Sequence, residues 1–67
     1  MLIIADGLDR DGKIKSIATE SREELLSWME SNGIGWITIY RYHHDEESNL
    51  LWITRDRIKQ WIDTGIL

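Results

Sequence analysis

Apolar and polar positions alternate with changing period along this chain, and each change of period marks an element. The strongest run is Gly35-Trp36-Ile37-Thr38-Ile39-Tyr40-Arg41-Tyr42, which is β-branched and aromatic almost throughout; Leu50-Leu51-Trp52-Ile53 follows a polar stretch. Residues of this kind suit a pleated, half-buried surface. The two runs predict a hairpin that turns through Asp45-Glu46-Glu47-Ser48-Asn49. Strand alternation sends Trp36, Thr38, Tyr40 and Tyr42 to one face and Ile37, Ile39, Arg41 and His43 to the other. The aliphatic face is the expected seat of a helix. An even-numbered loop would set Leu51 and Ile53 beside Tyr40 and Tyr42, and a change of one residue would substitute Leu50 and Trp52. The pattern alone leaves both registers open.

Upstream, Leu2-Ile3-Ile4-Ala5 is apolar at consecutive positions, so a strand here shows apolar side chains on both faces and is expected at the centre of a sheet, covered twice. Asp6 to Gly12 carries turn chemistry. Lys13 to Ala18 reads as an edge strand, because lysines spaced by two discourage further pairing. Ser21-Arg22-Glu23-Glu24 is a capping box. Leu25, Trp28 and Met29 continue it at helical spacing, which predicts a helix over 21–32 with Gly33 as its left-handed stop and Ile34 reaching back to Met29. Thr54 caps a second predicted helix over 55–64, with Ile58, Trp61 and Ile62 as its apolar stripe; Gly65 ends it and Ile66 is placed to touch Trp61.

The expected fold class is therefore α+β, a single domain over residues 1–67 with element order ββαββα. Two hairpins joined by a helix most simply give a four-stranded mixed sheet in the order 2-1-4-3, first and last strands parallel at the centre. That order resembles the β-grasp arrangement. One main helix covers the aliphatic face, and the short C-terminal helix is expected on the other face or part of it.

Composition narrows what such a domain does. Twelve acidic residues against eight basic ones give a net charge of -4, with a pI of about 4.9. That balance disfavours non-specific binding to nucleic acid or anionic lipid. The absence of cysteine excludes disulfides and thiolate metal sites. A chain this short buries only about 60% of its unfolded surface, which leaves tight packing, a partner or a homodimer to stabilise it. Met1 to Ala5 is too short for a signal peptide or a membrane span, and the chain reads as soluble and cytoplasmic.

Candidate chemistry is sparse. Asp9-Arg10-Asp11-Gly12-Lys13-Ile14 matches the middle of a calcium loop, but Gly7 and Ala18 fall where the first and last ligands belong, and no helix pair flanks it; a hairpin turn is the reading retained. His43-His44-Asp45-Glu46-Glu47 has metal-ligand residue types, yet adjacent strand residues diverge and nothing else completes a site. No phosphate loop or nucleophile triad is present. No cofactor, metal or catalytic residue is expected, and the chain is not read as an enzyme. Arg55, Arg57 and Lys59 sit in the first half of the second helix, against the dipole preference, and form a candidate anion contact. Trp36, Tyr40 and Tyr42, next to the acidic tip Asp45-Glu46-Glu47, form the main candidate site. Aromatic anchors with a charged rim suit a protein partner with a basic surface. The expectation is a small protein-binding regulator or inhibitor, of the kind common among accessory proteins of viruses and mobile elements. The alternative is a small nucleic-acid binder that stacks bases on the aromatic face and holds phosphate with Arg55, Arg57 and Lys59.

Overall fold

The computed structural model describes the backbone of residues 2–43 and 46–65, and the side chains of residues 2–40 and 52–65. The elements follow the predicted order: β1 (Ile3–Leu8), β2 (Ile14–Thr19), α1 (Arg22–Asn32), β3 (Trp36–His43), β4 (Glu46–Thr54) and α2 (Arg55–Thr64). The four strands form one sheet in the order β2-β1-β3-β4, and each neighbouring pair is antiparallel.

This corrects the mixed 2-1-4-3 sheet. β1 pairs with β3, not with β4, and β4 is an edge strand. The connection through α1 accounts for it. From the β2 edge, α1 has to step over only β1 to reach the observed position of β3, whereas the 2-1-4-3 order requires a step over two strands. At about 4.8 Å per strand, the shorter crossing suits an eleven-residue helix of about 16 Å. It also places the two most apolar strands side by side in the middle.

The first strand runs further than its composition suggests. Asp6, Gly7 and Leu8 belong to β1 and pair with Ser16, Lys15 and Ile14. Gly7 is a strand residue because backbone and side chains close in on it. A Cβ there would lie 2.7 Å from Cγ2 of Ile34 and 3.1 Å from Cγ2 of Ile37, the close approach that a strand glycine permits. The turn itself is confined to Asp9–Lys13. There the Asp9 amide donates to the Lys13 carbonyl at 2.9 Å, and Oδ1 of Asp9 accepts from the amides of Asp11 and Lys13, both at 2.9 Å. These bonds, the one from Lys13 first, hold the Asp9 carboxyl below its usual range.

α1 begins at Ser21, whose Oγ accepts from the Glu24 amide at 3.1 Å. The reciprocal half of the capping box is replaced. The Ser21 amide donates to Oγ1 of buried Thr19 at 3.1 Å, and the Ser21 hydroxyl turns to Glu23. Gly33, at φ 68, is the left-handed stop. The amide of Ile34 donates to the Met29 carbonyl at 2.8 Å and that of Gly33 to Glu30, the paired bonds of a Schellman ending. Arg10 adds a tertiary cap to this end, its backbone amide on the Asn32 carbonyl and its guanidinium on the Ser31 carbonyl.

α2 follows β4 without a linker. Thr54 is the last residue of β4 and also the cap of α2, accepting from the Arg57 amide. The Arg55 amide donates to the Gly35 carbonyl at 2.9 Å, fixing where the helix departs. Both helices lie on the same side of the sheet, which corrects the expectation that α2 covers the opposite face. The single core contains Ile3 and Ala5 of β1, Leu25 and Met29 of α1, Ile34, Ile37 and Ile39 of β3 and its approach, and Ile58 and Trp61 of α2. Arg22 ties the helices together: its Nη1 donates to the Trp61 carbonyl at 3.0 Å and its guanidinium lies 5.3 Å from the Trp61 ring centre. The expected contact of Ile66 with Trp61 falls outside the described residues.

Candidate functional site

With both helices on one side, the alternation of the strands decides what the other side shows. Buried Ile3 and Ala5 face the helices, so Ile4, Asp6 and Leu8 belong to the open side. Their partners on β2 are Ala18, Ser16 and Ile14. On β3, Ile37 and Ile39 are buried beneath the helices, which leaves Trp36, Thr38 and Tyr40 on the open side.

A bulge settles the face of β4. Arg41 pairs with Asn49 but Tyr42 pairs with Glu47, so Ser48 is an extra residue in the ladder. Beyond it Thr38 stands opposite Trp52 and Ile37 opposite Ile53. Trp52 therefore joins the aromatic side, and Ile53 packs against the core. Of the two registers left open by the sequence, the one with Leu50 opposite Tyr40 is formed.

The resulting face is apolar and bare. Among the described residues, the exposed large apolar side chains are Leu2, Leu8, Ile14, Trp36 and Trp52. Four of them stand at open-side positions of the strands, and Leu2 continues the alternation just before β1. Ile14 is 74% exposed and Trp52 62%, values for side chains with nothing above them. Trp36 and Trp52, diagonal neighbours on β3 and β4, have ring centres 5.2 Å apart and planes tilted by 40°, an arrangement within the favourable range for aromatic pairs.

Among the described strand residues, one ionisable carboxylate interrupts this face. Asp6 occupies the same cross-strand row as Ser16, Thr38 and Trp52. The Ser16 hydroxyl donates to its Oδ1 at 2.6 Å and the Tyr40 hydroxyl to its Oδ2 at 2.7 Å. These two bonds, Ser16 first, hold the Asp6 carboxyl below its ordinary value, with burial opposing them weakly. Asp6 is thus charged at neutral pH, with hydroxyl-bearing side chains across the strands and Ile4 and Leu8 along its own.

Of the residues singled out in the sequence, the structure brings Trp36 and Tyr40 together on the open face. The side chains of Tyr42, Glu46 and Glu47 and the whole of Asp45 lie outside the described residues, as do the side chain of His43 and all of His44. Arg55, Arg57 and Lys59 belong to α2 and so to the helix layer, not to the aromatic face. Sequence reasoning does not find Asp6, Ser16, Leu8 and Ile14 as members of the face, because the Asp and Gly content of residues 6–12 is that of a turn. The signal was there: Ile4, Asp6 and Leu8 keep the two-residue period, and the only feature against it was Gly7.

Among the described residues, no three histidine or acidic side chains converge as metal ligands, and no helix is long and apolar enough to cross a membrane. No known family model matches the chain, and neither a curated protein nor a solved structure shows significant similarity to it.

Proposed function

We propose that this chain is a non-catalytic protein-binding module that docks a partner on the open face of its sheet. The observation that supports the reading is the uncovered set Leu8, Ile14, Trp36 and Trp52 on one surface. Contiguous apolar surface of this kind marks interaction sites, and tryptophan is enriched among residues that dominate binding. The partner carries a basic surface, in keeping with the net charge of -4 and with the acidic stretch Asp45-Glu46-Glu47 in the hairpin that bears Tyr40 and Tyr42. In this reading the module acts as a regulator or inhibitor of that partner, by occupying its surface.

Two measurements test the proposal. A Trp36→Ser/Trp52→Ser double variant with an unchanged circular dichroism spectrum should lose a partner that the parent captures from its native extract. Equal capture by both forms overturns the docking face. Titration with single- and double-stranded oligonucleotides at physiological salt should show no binding at micromolar concentration. Binding that weakens steeply with salt would favour the nucleic-acid reading and shift attention to Arg55, Arg57 and Lys59.

A further inference from the structure

Resting on the docking reading, we infer that the partner delivers an arginine side chain to the open face, where the Asp6 carboxylate receives its guanidinium while apolar neighbours of that arginine cover Leu8, Trp36 and Trp52.

The first reason is charge. The described residues around Asp6 on this face, Ile4, Leu8, Ser16, Thr38 and Tyr40, include no cation. Any partner that covers these residues strips water from the carboxylate. Its described donors, the hydroxyls of Ser16 and Tyr40, are neutral and do not compensate the charge. Desolvating a carboxylate is costly unless it is paired and hydrogen-bonded, so a covering surface that supplies a cation is favoured over one that does not.

The second reason is geometry. Each oxygen of Asp6 accepts one described hydroxyl, Oδ1 from Ser16 and Oδ2 from Tyr40. A carboxylate has about four acceptor positions across its two oxygens, which leaves capacity on both. Two parallel N–H donors from one planar group match that arrangement, and arginine provides them where lysine offers a point charge. The hydroxyls also fix the orientation of the carboxylate before the partner arrives.

The same carboxylate discriminates among occupants. A second copy of this chain packed face to face across a two-fold axis presents the same patch, and would bring another Asp6 into the same dry layer with no cation for either. A nucleic acid would bring phosphates toward a negative charge. An arginine in an apolar surround is the chemistry that answers both the charge and the exposed tryptophans.

The test selects random linear peptides displayed on phage against the intact chain and measures the selected peptides by calorimetry. Peptides with arginine flanked by apolar residues should emerge and should lose all measurable binding to Trp52→Ser. Replacing the peptide's arginine by glutamine, which leaves the protein untouched, should weaken binding by about tenfold or more, with lysine intermediate; Asp6→Asn should match the glutamine loss. Peptides that need Trp52 but bind equally after arginine-to-glutamine exchange and to Asp6→Asn would keep the docking face and overturn the arginine. Selection of no peptide, or only of peptides indifferent to Trp52→Ser, overturns both. A concentration-dependent dimer in sedimentation that Trp52→Ser dissolves would assign the face to a second copy and overturn the arginine as well.

Discussion

At the scale of single residues, most of the information lies in how Asp6 and Gly7 are accommodated. Asp6 has a folded-state pKa below its ordinary value, owing to Ser16 and then Tyr40. A depressed carboxylate contributes stability that is present above the unfolded value of about 3.9 and is lost as pH falls through the lower folded value. Asp6→Asn should therefore flatten the part of the acid unfolding curve below about pH 4, leaving the share that Asp9 contributes with the same sign. Tyr40→Phe should raise the Asp6 pKa, read from its carboxyl carbon by NMR, and lower stability by roughly 0.5–1.5 kcal/mol for the lost hydrogen bond. Gly7 and Gly35 make a matched pair. Alanine at Gly7 would press on Ile34 and Ile37, whereas a Cβ at Gly35 meets nothing within 4 Å. Gly7→Ala should lower stability by about 1–3 kcal/mol in denaturant titration; Gly35→Ala should be neutral or slightly stabilising. Neither result was legible beforehand, because the composition Asp6-Gly7 is that of a turn and only the facing strand shows why a glycine stands there.

At the scale of elements, the helices were legible and the strands less so. Helix ends announce themselves locally: Ser21, Thr54, Gly33 and Gly65 each act within a few residues of their own position, and the apolar stripes Leu25–Met29 and Ile58–Trp61 need no partner to be recognised. The second half of the capping box failed for a tertiary reason, since Thr19 at the end of β2 takes the Ser21 amide. Strand pairing is non-local, and nothing within β1 says whether β3 or β4 will lie beside it. The burial of Ile58 and Trp61 makes α2 part of the core. Trp61→Ala should cost about 3–5 kcal/mol, enough to unfold a domain of ordinary marginal stability, and thermal melting followed by circular dichroism checks it. A melting temperature within a degree or two of the parent would show α2 to be peripheral.

At the scale of the whole molecule, the layers distribute the aromatic residues between two tasks. Trp61 packs in the core, Trp28 is half-buried against it, and Trp36 and Trp52 remain outside. The composition showed four tryptophans without showing this division. It depends on both helices sharing one face, which in turn depends on the path of β4. The candidate site was accordingly half legible: Trp36 and Tyr40 follow from alternation within β3, whereas Trp52 required the register of β4 and Asp6 the full length of β1. Charge reversal at Glu46 and Glu47 to lysine should slow association with a basic partner, most visibly at low salt, and leave the melting temperature nearly unchanged. Stopped-flow association rates against ionic strength measure it.

The bulge at Ser48 has a consequence for how this chain tolerates change in length. Since Thr54 ends β4 and starts α2 in one residue, the hand that β4 offers to the sheet also steers the helix that follows. Removing Ser48 restores an uninterrupted ladder and leaves the pairing on either side as it is, Tyr42 with Glu47 and Arg41 with Asn49. Trp52 would stay opposite Thr38 and Ile53 opposite Ile37, and α2 would keep its side of the sheet. Loss of that one codon should therefore keep the open two-layer domain, and tryptophan emission that does not move to the blue would report it. Loss of Asn49 as well would instead turn over every residue that follows it. The bulge is thus slack in the count: this hairpin can give up one residue and keep both of its faces.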